Sequence, residues 1–398
     1  MEMSADETRV YMDYTASSPV DPRVVEAMMP FFSKKFGNPS SFHSFGAEVR
    51  KPMEEARNKV GQLIGAEDPK REILFTSGAT ESSNIAIKGT AYRARGKNHI
   101  ITTAVEHMSI INITKALMKE GFEVTVVPVD EYAMVNPQDI QDAITDKTFL
   151  ISVMYANGEV GSIQPIKEIG KMARENKIYL HADGVAAIGK VPINVVDENI
   201  DLLSISSNDI YGPKGTGALY VRKGVSIQGV LQGGGQERGI RSGTEDIPSI
   251  VGFGKAAEII RDEMTEENKR IEKIRDKLIP GILDKIPESY LNGHPTKRLP
   301  NNVHVRFSYI EGESLILDLD EKGIACSSGS ACAAKTLEPS HVLRACGLPH
   351  ELVHGSILFT MGRWTKEEDA DRVIEALPPI VKRLRKLSPL TPLELKEA

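Results

Sequence analysis

Three cysteines occur in 398 residues, Cys326, Cys332 and Cys346, all in the last quarter of the chain. In a reducing compartment such an odd, sparse set reads as buried apolar residues or reactive thiols, not as a disulfide framework. Cys346, in Arg344-Ala-Cys-Gly347 at a predicted helix end, reads as a small buried residue. Cys326 reads as a buried strand residue or a second thiol. Cys332 lies in Ser328-Gly-Ser-Ala-Cys332, among residues that offer no apolar anchor. A thiolate there suits a mobile nucleophile. A different chemistry is suggested by Thr76-Ser-Gly-Ala-Thr-Glu81, where small residues run into a helical segment. Exposed N–H groups and the helix dipole at such a turn suit a phosphate, although an ordinary N-cap has the same sequence. Asp183 could pair with a protonated pyridine nitrogen or cap a helix. His107 and Asn157 likewise follow β-branched runs.

These residues need a frame, and the pattern around them supplies one. Ile73–Phe75, His99–Thr102, Val124–Val127, Leu150–Met154, Ile178–His181, Leu202–Ser206 and Ala218–Val221 read as strands. Stretches such as Ser83–Arg95 and Ile166–Glu175 are long enough for crossover helices. The rhythm predicts an α/β fold, a mostly parallel sheet with helices on both faces and ligands at the carboxyl ends of its strands. Val49, Met53, Ala56, Val60 and Leu63 mark an amphipathic helix before the sheet, and Ile271, Ile274, Leu278 and Ile282 another after it. A last helix is expected from a capping box at Thr365-Lys-Glu-Glu368, with Pro378 and Pro379 interrupting or kinking it. The expected division is a large domain over residues 15–260 and a smaller α+β one over 261–398 completed by 1–14. A net charge of −6 gives no reason to expect nucleic acid or an anionic membrane as partner. There is no apolar run of membrane-spanning length, and the polar start MEMSADETRV is unlike a secretory or transit peptide, so a cytoplasmic protein is expected.

Taken in order, Ser77-Gly-Ala-Thr-Glu-Ser82, Glu106-His107, Asn157-x-Glu159-x-Gly161, His181-x-Asp183, Tyr211-Gly-Pro-Lys-Gly215, Gly233-Gly-Gly-Gln-Glu-Arg238, Arg241-Ser-Gly-Thr244 and Ser328-Gly-Ser-Ala-Cys332 resemble the cysteine desulfurases. The likeness runs from Tyr11 to Pro389, and SGSAC followed by LEPSHVL is similar to the housekeeping and nitrogen-fixation branch. The resemblance implies the aspartate-aminotransferase-like fold (fold type I) and a homodimer with active sites at the subunit interface. It implies pyridoxal phosphate as cofactor, its phosphate held by Ala79, Thr80 and Ser206, with Thr244 reaching in from the neighbouring subunit. His107 would stack on the ring, Asn157 would hydrogen-bond the phenolic oxygen and Asp183 would pair with the ring nitrogen. Cys332 would take sulfur from L-cysteine, leaving L-alanine, and carry it as a persulfide to an iron–sulfur scaffold protein (IscU-like).

The pattern breaks where the family has His-Lys before Tyr-Gly-Pro-Lys-Gly: here stand Asn208 and Asp209. Asn208 is still expected beside the cofactor. A carboxylate at Asp209 cannot form the imine by which the family's lysine anchors the cofactor. Ala186 replaces the family's glutamine near the phenolic oxygen, and Leu358 the arginine that grips the substrate carboxylate. Lys214 already has a counterpart in the family and is not an evident substitute for the lost lysine. Two readings follow. One is a working cysteine desulfurase of iron–sulfur cluster assembly. The other is a non-catalytic or partly catalytic partner of the scaffold, in which Cys332 carries sulfur or ligates an iron–sulfur cluster shared with it.

Overall fold

The computed structural model describes residues 9–329 and 339–397; Cys332 lies outside them. The chain begins with a short strand, β1 (Val10–Tyr11). Every predicted strand of the large sheet is present: β2 (Ile73–Thr76), β3 (His99–Thr103), β4 (Glu123–Val127), β5 (Thr148–Met154), β6 (Tyr179–Asp183), β7 (Leu202–Ser206) and β8 (Gly217–Val221). Their spatial order is β2-β8-β7-β6-β5-β3-β4. β3 to β7 run parallel to their neighbours in this order, while β8 lies antiparallel to both β2 and β7. Two reversals make β2 run with β7, so the ends of β2, β3, β5, β6 and β7 reach one edge of the sheet. The central strands β5 and β7 are buried almost throughout, as their continuous apolar runs require when helices cover both faces.

After the sheet come β9 (Ser289–Leu291), β10 (Asn302–Phe307), β11 (Ile324–Ala325) and β12 (Ser356–Thr360). β10 is the centre of a small antiparallel sheet, and β11 pairs in parallel with β1, Val10 opposite Ile324. One 37-residue helix, Ile247–Leu283, runs along both regions. Its Ile247, Ile250, Phe253, Ile259 and Ile260 join the apolar core that includes Tyr14 and the helix Ser44–Leu63. Its Ile271, Ile274, Leu278 and Ile282 join a second core with Val10, Met12, β10 and β12.

Two expectations about the last helix are corrected. It spans Glu367–Leu387, and the box is formed by Lys366 and Asp369, whose carboxylate accepts the Lys366 N–H at 2.8 Å. Thr365 instead accepts the Gly362 N–H through Oγ1, closing the preceding turn at 3.0 Å. The helix also continues through Pro378 and Pro379. Each proline removes one N–H bond to the carbonyl four residues before it. Leu377, Ile380 and Val381, all buried in the second core, hold the backbone in helical register across that gap.

Candidate active site

Five strand ends at one edge of the sheet bring the sequence-predicted residues together. Thr76, at the end of β2, hydrogen-bonds Ser82 between hydroxyls at 2.8 Å, which folds the intervening turn back on the helix Ala79–Ala91. Gly78 lies at φ +144°, and Gly217 of β8 approaches it so closely that a Cβ there would stand 2.8 Å from the Gly78 backbone. The turn leaves Thr80 exposed and Ala79 half-buried, with the first amides of a 13-residue helix beside them. Glu81 accepts the Ser77 N–H and pairs with Arg241 at 3.1 Å, linking this turn to the 241–244 segment. Thr244 itself is exposed.

Asp183 ends β6, nearly buried, and accepts the Val185 N–H at 3.1 Å. Burial raises its pKa, and the charge of His107 opposes that rise. His107 caps the helix Met108–Lys119, its Nδ1 accepting the Ser109 N–H at 3.1 Å, with the ring exposed. Asn157 is buried three residues beyond β5. Its Oδ1 accepts the Glu159 and Val160 N–H groups, both at 2.9 Å. Its Nδ2 donates to the Val105 carbonyl and the Met154 thioether. In this structure Asn157 thus braces its own turn, and the weak thioether acceptor is the partner it most readily exchanges. Ala186 faces that turn, 3.6 Å from where a Cβ on Gly158 would stand.

Asn208 and Asp209 form a short 3₁₀ turn two residues beyond β7, beside half-buried Ser206. Asn208 accepts the Ser18 N–H at 3.2 Å through its Oδ1. Burial pushes the Asp209 carboxyl up; Lys190 and a hydrogen bond from Ser206 oppose this, and Asp183 adds to it. The Lys190 amine donates to the Asp209 carbonyl at 3.0 Å. Lys214 is exposed and donates to the Ser18 carbonyl. Leu358 lies on β12, 2% exposed, opposite His304 on β10 and hydrogen-bonded through its backbone to Ser327. The chain leading towards Cys332 is therefore anchored against the strand that carries Leu358. Cys326 and Cys346 are both held as thiols, burial pushing each up to about 12. Cys326 belongs to the second core, which favours its burial reading over that of a second thiol.

Three buried polar groups at this edge were not singled out from the sequence. Glu106 is fully buried; Oε1 accepts from the Thr103 hydroxyl at 2.6 Å and the Met154 N–H at 3.0 Å, while Oε2 has no partner among the described residues. Burial and the charge of Asp183 push it up to about 8. Glu159, pushed up to about 7 by burial, and His304, whose ring nitrogens have no hydrogen-bond partner among the described residues, flank Gly329. Glu106 and Glu159 stand in the motifs Glu106-His107 and Asn157-x-Glu159-x-Gly161 without an assigned role; packing, not local pattern, makes these groups unusual.

The assembly is a cradle of amides and hydroxyls beside a buried carboxylate and an imidazole, suited to an anionic, ring-bearing ligand. The Aminotransferase class-V family profile matches residues 10–373. The chain is 54% identical to cysteine desulfurase IscS of Methanosarcina thermophila, over 99% of this chain and 97% of that protein. It is 55% identical to cysteine desulfurase IscS 1 of Archaeoglobus fulgidus, over 96% and 99%. Among solved structures, a NifS-like protein superposes with a TM-score of 0.88 at 38% identity, covering 94% of this chain and all of the other.

Proposed function

From the premise that this chain belongs to the class-V aminotransferase family, we infer that it is a cysteine desulfurase of the IscS/NifS type serving iron–sulfur cluster assembly. The single observation that carries this reading is near-full-length identity above half to proteins named cysteine desulfurase IscS. The substrate is L-cysteine and the co-product L-alanine, with the sulfur carried on Cys332 as a persulfide.

The pocket fits pyridoxal phosphate as a ligand held without a covalent bond. Ala79, Thr80 and Ser206 would hold the phosphate, His107 would cover the ring, and Asp183 would face its nitrogen. Asn157 would reach the phenolic oxygen by releasing Met154. Asn208 stays with Ser18, and Thr244 would enter from a second subunit. When bound, the cofactor supplies an electron sink. Asp183 keeps the ring nitrogen protonated, and the buried Glu106 beside it holds a proton near neutral pH instead of a competing charge. The pocket does not fit the cofactor as a lysine imine, because Asp209 occupies that position. Proton shuttling from that position is lost with the amine, so no turnover step is assigned to it.

That misfit favours a second reading, in which Cys332 serves chiefly as sulfur carrier or as ligand to an iron–sulfur cluster shared with an IscU-like scaffold. The protein is proposed as a homodimer whose unit over 15–260 binds cofactor, while 261–398 with 1–14 presents Cys332. Anaerobic incubation of the dimer, scaffold and iron with labelled L-cysteine tests both readings against Cys332→Ser. Labelled persulfide and alanine from the wild type alone support the desulfurase. With inorganic sulfide supplied in a parallel incubation, a cluster that needs Cys332, without alanine formation from L-cysteine, supports the second reading. Equal label and an equally stable cluster on Cys332→Ser would sink both.

A further inference from the structure

His350 and His354 stand one helical turn apart at the end of the helix His350–Val353, His350 exposed and His354 half-buried. Their rings lie 4.6 Å apart between centroids, and the two Nε2 atoms face each other at 3.5 Å. Two imidazoles four residues apart on a helix share a face. Here the backbone also fixes the second one. The His354 carbonyl accepts the Gly312 N–H at 2.8 Å. Gly355 packs so tightly that a Cβ there would stand 2.1 Å from the Phe307 carbonyl oxygen. The residue before Gly312 is Glu311, and its carboxylate lies 3.9 Å from Nδ1 of His354, the nitrogen turned away from His350.

That arrangement sorts the nitrogens. A carboxylate on the Nδ1 side favours the tautomer with its proton there and leaves the Nε2 lone pair free. Two convergent Nε2 lone pairs repel unless a proton or a cation lies between them. Bonds of 2.0–2.1 Å at a tetrahedral angle place two nitrogens about 3.3–3.4 Å apart, whereas right-angled coordination brings them to about 2.9 Å. The observed spacing matches the tetrahedral case.

We propose that His350 and His354 form a surface Zn2+ site, oriented by Glu311 and completed by solvent. No group of three or more His, Cys, Asp or Glu side chains among the described residues forms a closed metal cage, so this is an open two-histidine site and exchangeable. The bound cation would tie the helix His350–Val353 to the turn before the helix Gly312–Glu321. It would thereby stiffen the base of the small sheet that supports Ser327.

The test uses the full-length protein carrying Cys332→Ser, so that this thiol cannot bind the metal, stripped with chelator and titrated with Zn2+ by calorimetry. The expected result is one Zn2+ per chain in that background. His350→Ala and His354→Ala each remove it, and Glu311→Gln weakens it about tenfold. Co2+ in the same site should show the intense visible bands of tetrahedral coordination without a thiolate charge-transfer band. The proposal is overturned if stoichiometry survives both histidine changes, if no Zn2+ binds, or if the cobalt spectrum is six-coordinate or thiolate-bound.

Discussion

Asp209 concentrates the chemistry into one side chain. It sits where the family's cofactor lysine stands, with its carbonyl taken by Lys190 and its carboxyl pushed up by burial. The purified protein, freed of excess pyridoxal phosphate and then treated with borohydride, should carry no pyridoxyl group on Lys214 or on any other lysine of the pocket, as read by peptide mass spectrometry. Asp209→Lys should restore the trapped adduct while recovering only a small part of family-like turnover. Ala186 still lacks an amide and Leu358 a guanidinium, and a lost charge-assisted contact costs about 1.5–3 kcal/mol. Full turnover from that change alone would show those two positions to be unimportant. Glu106 yields a pH prediction. Its folded pKa of about 8 exceeds the ordinary glutamate value of 4.5, so the folded state holds more protons between these values. Stability must then fall as pH rises through that window. Glu106→Gln should flatten the fall, leaving the variant relatively more stable at pH 8.5 than at pH 5 in urea titrations, whereas parallel curves would place the titration elsewhere.

Among the elements, β2 shows how a sheet edge is closed by side chains. The Phe75 N–H donates to Glu237 at 3.1 Å, and Arg57 donates to the Ile73 carbonyl at 2.9 Å and to Glu237 at 2.7 Å. Glu237 and Arg238 both lie at positive φ, a conformation that this pairing helps to hold. Removing Glu237 leaves the buried guanidinium with only the partly exposed Glu54 and the Ile73 carbonyl, so Glu237→Ala should cost about 3–5 kcal/mol in denaturant unfolding. The paired replacement Arg57→Met with Glu237→Leu should cost much less; equal losses would argue that the pair acts through shape and not charge. The sequence revealed the sheet better than its surroundings for a related reason. β5 and β7 are seven- and five-residue stretches of mostly apolar residues, readable without tertiary knowledge. β1, β9 and β11 have two or three residues each and owe their existence to distant partners, so no local period marks them. The prolines at 378 and 379 misled because packing on the second core outweighed a local rule. At the site, motif order located Asp183 and His107, whereas the engagement of Asn157 and Asn208 by nearby backbone could be seen only in three dimensions.

At the scale of the molecule, the single chain leaves Phe32, Phe36, Phe42 and Phe45 exposed within fourteen residues, beside exposed Met29. So many exposed aromatic rings in one segment, with Phe36 and Phe45 5.8 Å apart between centroids, are unusual on a monomer and match the proposed homodimer. The protein should sediment as a dimer at micromolar concentration. Phe36→Glu with Phe42→Glu should shift it to monomer while preserving its helical content. A variant that remains dimeric would place the subunit contact elsewhere. No helix among the described residues is long and apolar enough to cross a membrane.

The parallel pairing of β1 with β11 also has a consequence for synthesis. Val10 leaves the ribosome long before Ile324, the residue it must lie beside. At about 5–20 residues per second, the interval between them is on the order of 15–60 s. During that time Val10 and Met12, both destined for the second core, have nowhere to bury. The nascent chain must keep its first segment from wrong partners until nearly the whole message has been read. A chaperone that binds short apolar segments near the amino terminus would therefore have its longest opportunity to act on this stretch.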